Sequence, residues 1–148
     1  MPIKFDVITA QTDRINDIYL LEKEVFSQPW SADEFARIID DKYRFILCAV
    51  EGENLLGYVV ATSLFETAQI DRIAVDANFR RMGVAKALIS LCERECKDRS
   101  AEEMLLEVRA SNYGAQALYS SLGFESIAMR KNYYQMPVED AVVMRKTI

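Results

Sequence analysis

The sequence predicts a mixed α/β domain built around one central sheet. Three observations carry that prediction. Short apolar runs that read as strands both precede and follow segments of helical periodicity. Two of those runs flank a Gly52–Asn54 turn, the pattern of an antiparallel hairpin. No internal repeat, long linker or low-complexity tract divides the 148 residues, so residues 1–148 are expected to fold as a single domain with a sizeable core.

"IKFDVI" (3–8) alternates as a short strand. Between Gln11 and Val25, the residues Ile15, Ile18, Leu21 and Val25 recur at helical spacing. "WSADEF" marks the next helix start: Ser31 and Glu34 have capping-box spacing, and Trp30 and Phe35 fall where a hydrophobic staple packs. That helix is expected to run to about Asp41. "YRFILCAVEGENLLGYVVATSLF" (43–65) is the hairpin, and "TAQIDRIAVD" (67–76) is a third strand. Its apolar positions change parity, from Ala68 and Ile70 to Ile73 and Val75. One inserted residue has that effect, so a β-bulge is expected near 71–73. From Gly83 onward, Val84, Ala87, Leu88, Leu91, Cys92 and Cys96 form an apolar helical stripe. "EMLLEVRA" (103–110) is a strand, and "NYGAQALYSSL" (112–122) is a helix stopped by Gly123. "FESIAMR" (124–130) and "DAVVMRK" (140–146) close the chain as strands.

The composition, 51% hydrophobic and 28% charged, is that of a soluble globular protein. No apolar run approaches the roughly 18 residues of a membrane span. The start, "MPIKFDVITA", lacks the apolar core and cleavage site of a secretory signal, so a cytoplasmic location is expected. Three cysteines without a signal argue against a disulfide framework. Cys92 and Cys96, four apart on a helix, could be half of a zinc site. With no histidine and only Cys48 besides, four ligands are hard to complete, so core packing and no metal are expected. The absence of histidine also removes Ser-His-Asp and Cys-His chemistry, leaving acid–base work to Asp, Glu, Tyr, Lys or Cys. A net charge of −5 argues against direct nucleic-acid binding.

Against that acidic background, "ANFRRMGVAKALISL" (77–91) crowds Arg80, Arg81 and Lys86 around Gly83 at a helix start. Basic residues there oppose the helix dipole by about 0.3–1 kcal/mol each, which favours an anionic partner over a merely solvated basic helix start. Free backbone N–H groups, a glycine that admits close approach and three cations together suit a pyrophosphate. Neither the G-x-G-x-x-G fingerprint nor the P-loop is present.

"RRMGVA" (80–85) instead fits the (Q/R)-x-x-G-x-(G/A) signature of the Gcn5-related N-acetyltransferases, and it stands after a strand and before an amphipathic helix. "LLEVRASNYGAQALYSSLGFE" (105–125), "FSQPWS" (26–31), "RKNYY" (130–134) and the closing "EDAVVM" (139–144) most closely resemble the ribosomal-protein-alanine N-acetyltransferases. The motif departs from the commoner form only in Arg80 for glutamine and Ala85 for glycine. The resemblance spans nearly the whole chain. It implies a mostly antiparallel mixed sheet of six to seven strands with four flanking helices. It also implies acetyl-CoA as cosubstrate, held at its pyrophosphate by Arg81, Met82, Gly83, Val84, Ala85 and Lys86 and at its acetyl-pantetheine arm by Ile73, Ala74 and Val75.

Acetyl transfer needs a neutral amine, a polarised thioester carbonyl and a protonated leaving thiol. Glu107 is the candidate base: a carboxylate inside the apolar run 105–108 is unexpected unless paired, and partial burial is expected to raise its pKa. The alternative is an ion pair with Arg109 or Arg72. In the resembling family the matching glutamate accepts the proton. Tyr119 is the candidate acid, or an ordinary core residue beside Leu118 and Leu122; the family's matching tyrosine is the proton donor. Asn112 lies seven residues earlier, on the same helix face. It is a helix N-cap, a contact for acetyl-CoA as the resemblance implies, or both. No side chain offers an obvious oxyanion donor, which points to a backbone N–H on 73–75, left free by the bulge.

For the acceptor, Trp30 is either staple or substrate contact. Tyr133 and Tyr134 could line a peptide groove, although two adjacent residues cannot both face one side of a regular strand. The function expected is acetylation of the N-terminal α-amine, on alanine, of a basic ribosomal protein. The other readings are acetylation of a small amine or of lysines, and a non-catalytic CoA-binding regulatory domain.

Overall fold

Each alternating run becomes a strand, and the strands assemble into one sheet. The structure, a computed structural model, describes residues 4–148. The strands are β1 (Asp6–Thr9), β2 (Arg44–Glu51), β3 (Asn54–Leu64), β4 (Thr67–Val75), β5 (Glu103–Arg109), β6 (Glu125–Tyr134) and β7 (Glu139–Thr147). Their spatial order is β1-β2-β3-β4-β5-β7-β6. Among the described strands only β4 and β5 pair in parallel, and the connection between them crosses over through a helix. The helices are α1 (Ile15–Val25), α2 (Ala32–Asp40), α3 (Val84–Asp98) and α4 (Tyr113–Ser121). Among the described residues no helix is long and apolar enough to cross a membrane.

Several local expectations are met for the expected reasons. Ser31 caps α2, its hydroxyl accepting from the Glu34 N–H at 3.1 Å, and the Trp30 and Phe35 rings pack with centroids 5.8 Å apart. The helix expected from Gln11 opens instead with a 3-10 turn at Thr12–Arg14. The strand expected at 3–8 is displaced to Asp6–Thr9, and Ile3 lies outside the described residues. On α3 the buried stripe is Val84, Leu88, Ile89, Cys92 and Cys96, and the predicted Leu91 is exposed. The helix is rolled toward the Ile89 side of the repeating 84-88-92-96 line.

The parity change in β4 is a bulge. Val60 pairs with Arg72 and Ala61 with Ile70, so Asp71 is the extra residue. Ala68, Ile70, Ile73 and Val75 therefore all face the core under α3 and α4, while Ala74 joins the core under α1 and α2. The three cysteines lie buried in these two cores, Cys48 on the α1/α2 side and Cys92 and Cys96 under α3.

Gly57 sets how closely α3 starts against the sheet. A Cβ there would lie 2.7 Å from the Ala74 carbonyl oxygen and 3.3 Å from Val84 Cγ1. The glycine thus brings the end of β4 and the first residue of α3 together. Gly57→Ala is expected to cost about 1–3 kcal/mol through overpacking. Urea unfolding should show a lower midpoint at unchanged slope, and an unchanged midpoint would refute the contact.

Candidate active site

The bulge at Asp71 does more than turn side chains over. β4 and β5 pair only from Thr67–Glu103 to Ile70–Leu106, and beyond that point the pairing ends. Residues 72–75 stay paired with β3 through Val75, and Glu107–Arg109 stay paired with β7. One edge of β4 therefore faces a gap in the middle of the sheet, with backbone groups that no strand satisfies.

A cleft of about 670 Å³ occupies this gap. On the α3/α4 side it is lined by Ile73, Val108, Asn112, Ala115 and Tyr119. On the other side it is lined by Gln69, Asp71, Arg72, Glu107 and Arg109, by the segment joining α1 to α2 (Phe26, Ser27, Gln28, Trp30), and by Tyr133, Tyr134 and Gln135. Glu107 and Tyr119 thus meet the same cavity from opposite faces of the sheet, as strand alternation requires for Glu107 between the core residues Leu106 and Val108.

Glu107 is ion-paired, but with neither Arg109 nor Arg72. Arg130 Nη1 lies 2.9 Å from Glu107 Oε1. Arg109 is committed to Glu139 at 3.2 Å, and Arg72 to Glu22 at 2.8 Å. Tyr133 also lies beside Glu107, and interaction with that carboxylate is the first cause of a phenol pKa raised above its ordinary value. Tyr119, only 6% exposed, has its pKa pushed up to about 12 by burial. Its ring packs against Phe124, with centroids 6.0 Å apart. Asn112 is exposed, lines the cleft and caps α4, its Oδ1 accepting from the Ala115 N–H at 3.1 Å.

Tyr133 and Tyr134 both line the cleft, against the expectation that only one could. Pairing of β6 with β7 is irregular between Arg130 and Tyr134, and Asn132 takes a left-handed φ of 52°. That break in alternation turns the two rings to one side, at 5.0 Å and nearly perpendicular. Trp30 serves both readings, staple and lining.

The residues 81–86 do not line the cleft; they follow the end of β4 and open α3. Arg81 (φ 62°) and Gly83 (φ 81°) are both left-handed, curling the chain at the helix entrance. No side chain caps α3 and no acidic residue lies in its first turn, in contrast with α2, which has Ser31, Asp33 and Glu34. Arg81, Met82, Gly83 and Lys86 are exposed, Ala85 is half-buried and Val84 anchors the turn in the core. The result is a solvent-facing set of free N–H groups flanked by cations.

Four participants have places in the site that the sequence reading did not assign them. Asp71 is the bulge residue itself; it accepts from the Thr62 hydroxyl at 2.6 Å, and burial raises its pKa. Arg130 pairs with the candidate base, and Arg72 lines the acceptor side. Glu22 lies fully buried on α1 beneath Arg72. Its signal was present: an acid four residues after Ile18, on the apolar face of a helix.

Comparison with known proteins bears on the family and the fold. The profile of the Acetyltransferase (GNAT) family matches residues 13–124. A ribosomal protein bS18-alanine N-acetyltransferase of Haemophilus ducreyi is 35% identical over 132 residues, covering 87% of this chain and 90% of the relative. The crystal structure of the ribosomal-protein-S18-alanine N-acetyltransferase from Escherichia coli is similar with a TM-score of 0.90 at 29% identity, covering 98% of this chain and 94% of that one. Arabidopsis thaliana NAA60, crystallised with acetyl-CoA, shares the fold with a TM-score of 0.89 at 16% identity, covering 98% and 99%.

Burial of Tyr119 has a consequence for stability. A phenol whose folded pKa rises from 10.0 to about 12 favours the folded state while protonated. That contribution is complete below pH 10 and is lost as pH rises toward 12. Between those limits the wild type is expected to lose about 2–3 kcal/mol more stability than Tyr119→Phe. Urea titrations of both proteins across this range measure the difference, and parallel curves would contradict the buried, neutral phenol.

Proposed function

Because the chain belongs to the Acetyltransferase (GNAT) family and is an acetyl-CoA-dependent N-acetyltransferase, we propose that it acts as one cytoplasmic domain that acetylates the N-terminal α-amine, on alanine, of a basic ribosomal protein. The observation that carries this reading is the gap between β4 and β5, open to both faces of the sheet with Glu107 on one and Tyr119 on the other.

In this reading the pyrophosphate of acetyl-CoA rests on Arg81–Lys86, and the pantetheine arm follows the free edge of Ile73–Val75 past Asn112. The acetyl group then lies in the gap. A free N–H of that edge polarises the thioester carbonyl. Glu107 takes the proton from the amine, directly or through a water, as the nitrogen attacks the carbonyl carbon. The carbon–sulfur bond breaks, and Tyr119 supplies the proton to the departing sulfur. Its pKa of about 12 keeps it neutral, and hence loaded as a donor, throughout the working range. Trp30, Tyr133 and Tyr134 form the acceptor's walls.

An α-amine suits this machinery. Its pKa of about 7.7–8.0 leaves it partly neutral at physiological pH, whereas a lysine amine near 10.4 is charged in all but about one molecule in 10³. A net charge of −5 steers the enzyme toward a basic partner. The relatives' ribosomal substrates are consistent with that preference.

The decisive experiment offers acetyl-CoA with two peptide sets, one beginning with free alanine and one blocked at the N-terminus with an internal lysine. Thiol release is expected with the first set. Preferential reaction of the blocked lysine peptides would overturn the α-amine assignment.

Glu107→Gln is expected to lower kcat/KM roughly 10²–10⁴-fold near neutral pH, with partial recovery above pH 9, where the amine is already deprotonated. A pH–rate profile of the two proteins reads this out, and equal rates at neutral pH would remove Glu107 as the base.

A further inference from the structure

Glu22 has no part in the chemistry above, yet it is a fully buried charge. A carboxylate in that position is costly unless donors converge on it. Three do. The Tyr58 hydroxyl donates to Oε1, and the Trp30 N–H and Arg72 Nη2 both donate to Oε2 at 2.8 Å. Arg72 in turn lies 4.0 Å from the centre of the Phe26 ring and 4.3 Å from that of Trp30, with Nη2 also reaching the Gln28 carbonyl at 3.3 Å. One buried carboxylate thus holds one guanidinium, and that guanidinium holds two rings and a backbone carbonyl of residues 26–30.

That segment has no helix or strand ladder of its own, yet it lines the acceptor side of the cleft. The cluster is also poorly optimised for stability, because Arg72 Nε is buried without a partner. Apolar residues would fill such a site at less cost. We propose that Glu22 is a positioning residue. Acting through Arg72, it fixes Phe26–Trp30 as the wall against which the acceptor's first residues bind. The assignment rests on the acetyl-transfer reading for its substrate, but the wall itself can be observed without catalysis.

Trp30 is the single tryptophan of the chain, so its fluorescence reports on the wall directly. In Glu22→Gln, which keeps the size and removes the charge, Trp30 emission should shift to longer wavelength and acrylamide should quench it more readily. The acceptor-peptide KM should rise roughly tenfold while kcat and acetyl-CoA affinity change less than about twofold. Met144→Ala, a core truncation on β7 at 1% exposure, should lower the melting temperature and move neither readout. If Glu22→Gln does not fold, Glu22→Asp, which keeps the charge but shortens the reach, is expected to give the same pattern.

Unchanged Trp30 quenching in a folded Glu22 variant overturns the proposal. A fall in kcat at constant acceptor KM, or the same changes in Met144→Ala, also overturns it. A wild-type enzyme that acetylates no α-amine peptide would sink the acetyl-transfer reading alone, and the fluorescence comparison would still decide whether Glu22 sets the wall.

Discussion

One extra residue in one strand, Asp71, is the constraint on which the rest of the site depends. Without it, β4 would stay parallel to β5 along its length and the sheet would be closed. With it, pairing stops at Ile70 and Leu106, and the strands part where the cleft lies. The same insertion keeps Ile73 and Val75 in the core that already holds Ala68 and Ile70. It also turns Arg72 toward Glu22 on α1. A bulge sacrifices ladder bonds, and the protein recovers that cost through packing on both faces of the strand. The unpaired edge that remains is rigid because its other edge is still bonded to β3.

The charges follow a similar division. The arginines that line the cleft are held by acids: Arg44 is near Asp71 at 3.7 Å, Arg72 pairs with Glu22 and Arg109 with Glu139. Arg130, at its rim, pairs with Glu107. At the start of α3 no acid balances the cations. The cations of the cleft are neutralised while the α3 entrance stays positive, which is the electrostatics the proposed pyrophosphate site calls for.

Most of this architecture was legible because it is local. The Ser31 cap, the Gly52 turn and the parity change at Asp71 each depend on residues close in sequence, and each was visible there. What could not be read depends on partners brought together by the sheet. For Glu107 the sequence offers Arg109, two residues away, and Arg72 on the preceding strand, whereas its partner Arg130 comes from β6, beyond β7. Tyr133 and Tyr134 were separated by a rule that holds for regular strands, and Asn132 breaks the strand between two registers. The exposure of Leu91 reflects how α3 rolls on the sheet, a packing outcome that periodicity leaves open across a face as broad as this one.

The sidedness of the cleft also bears on how a chain without histidine could manage two proton transfers. A single group serving as both base and acid must sit within reach of the amine and the sulfur and change its protonation state between them. On the proposed reading the two tasks are separated by the thickness of the sheet. A carboxylate stands on the face lined by Phe26, Trp30 and Tyr133, and a phenol stands on the face covered by α4. The surroundings of the two groups differ. Glu107 has the Arg130 guanidinium beside it at 2.9 Å. Tyr119 has only burial, which favours the neutral form that can donate one. On the proposed reading, donor and acceptor enter from opposite faces and meet at the one place where the backbone has an edge to spare. On that reading the fold divides base from acid by position, Glu107 on one face and Tyr119 under α4 on the other, and no histidine is required.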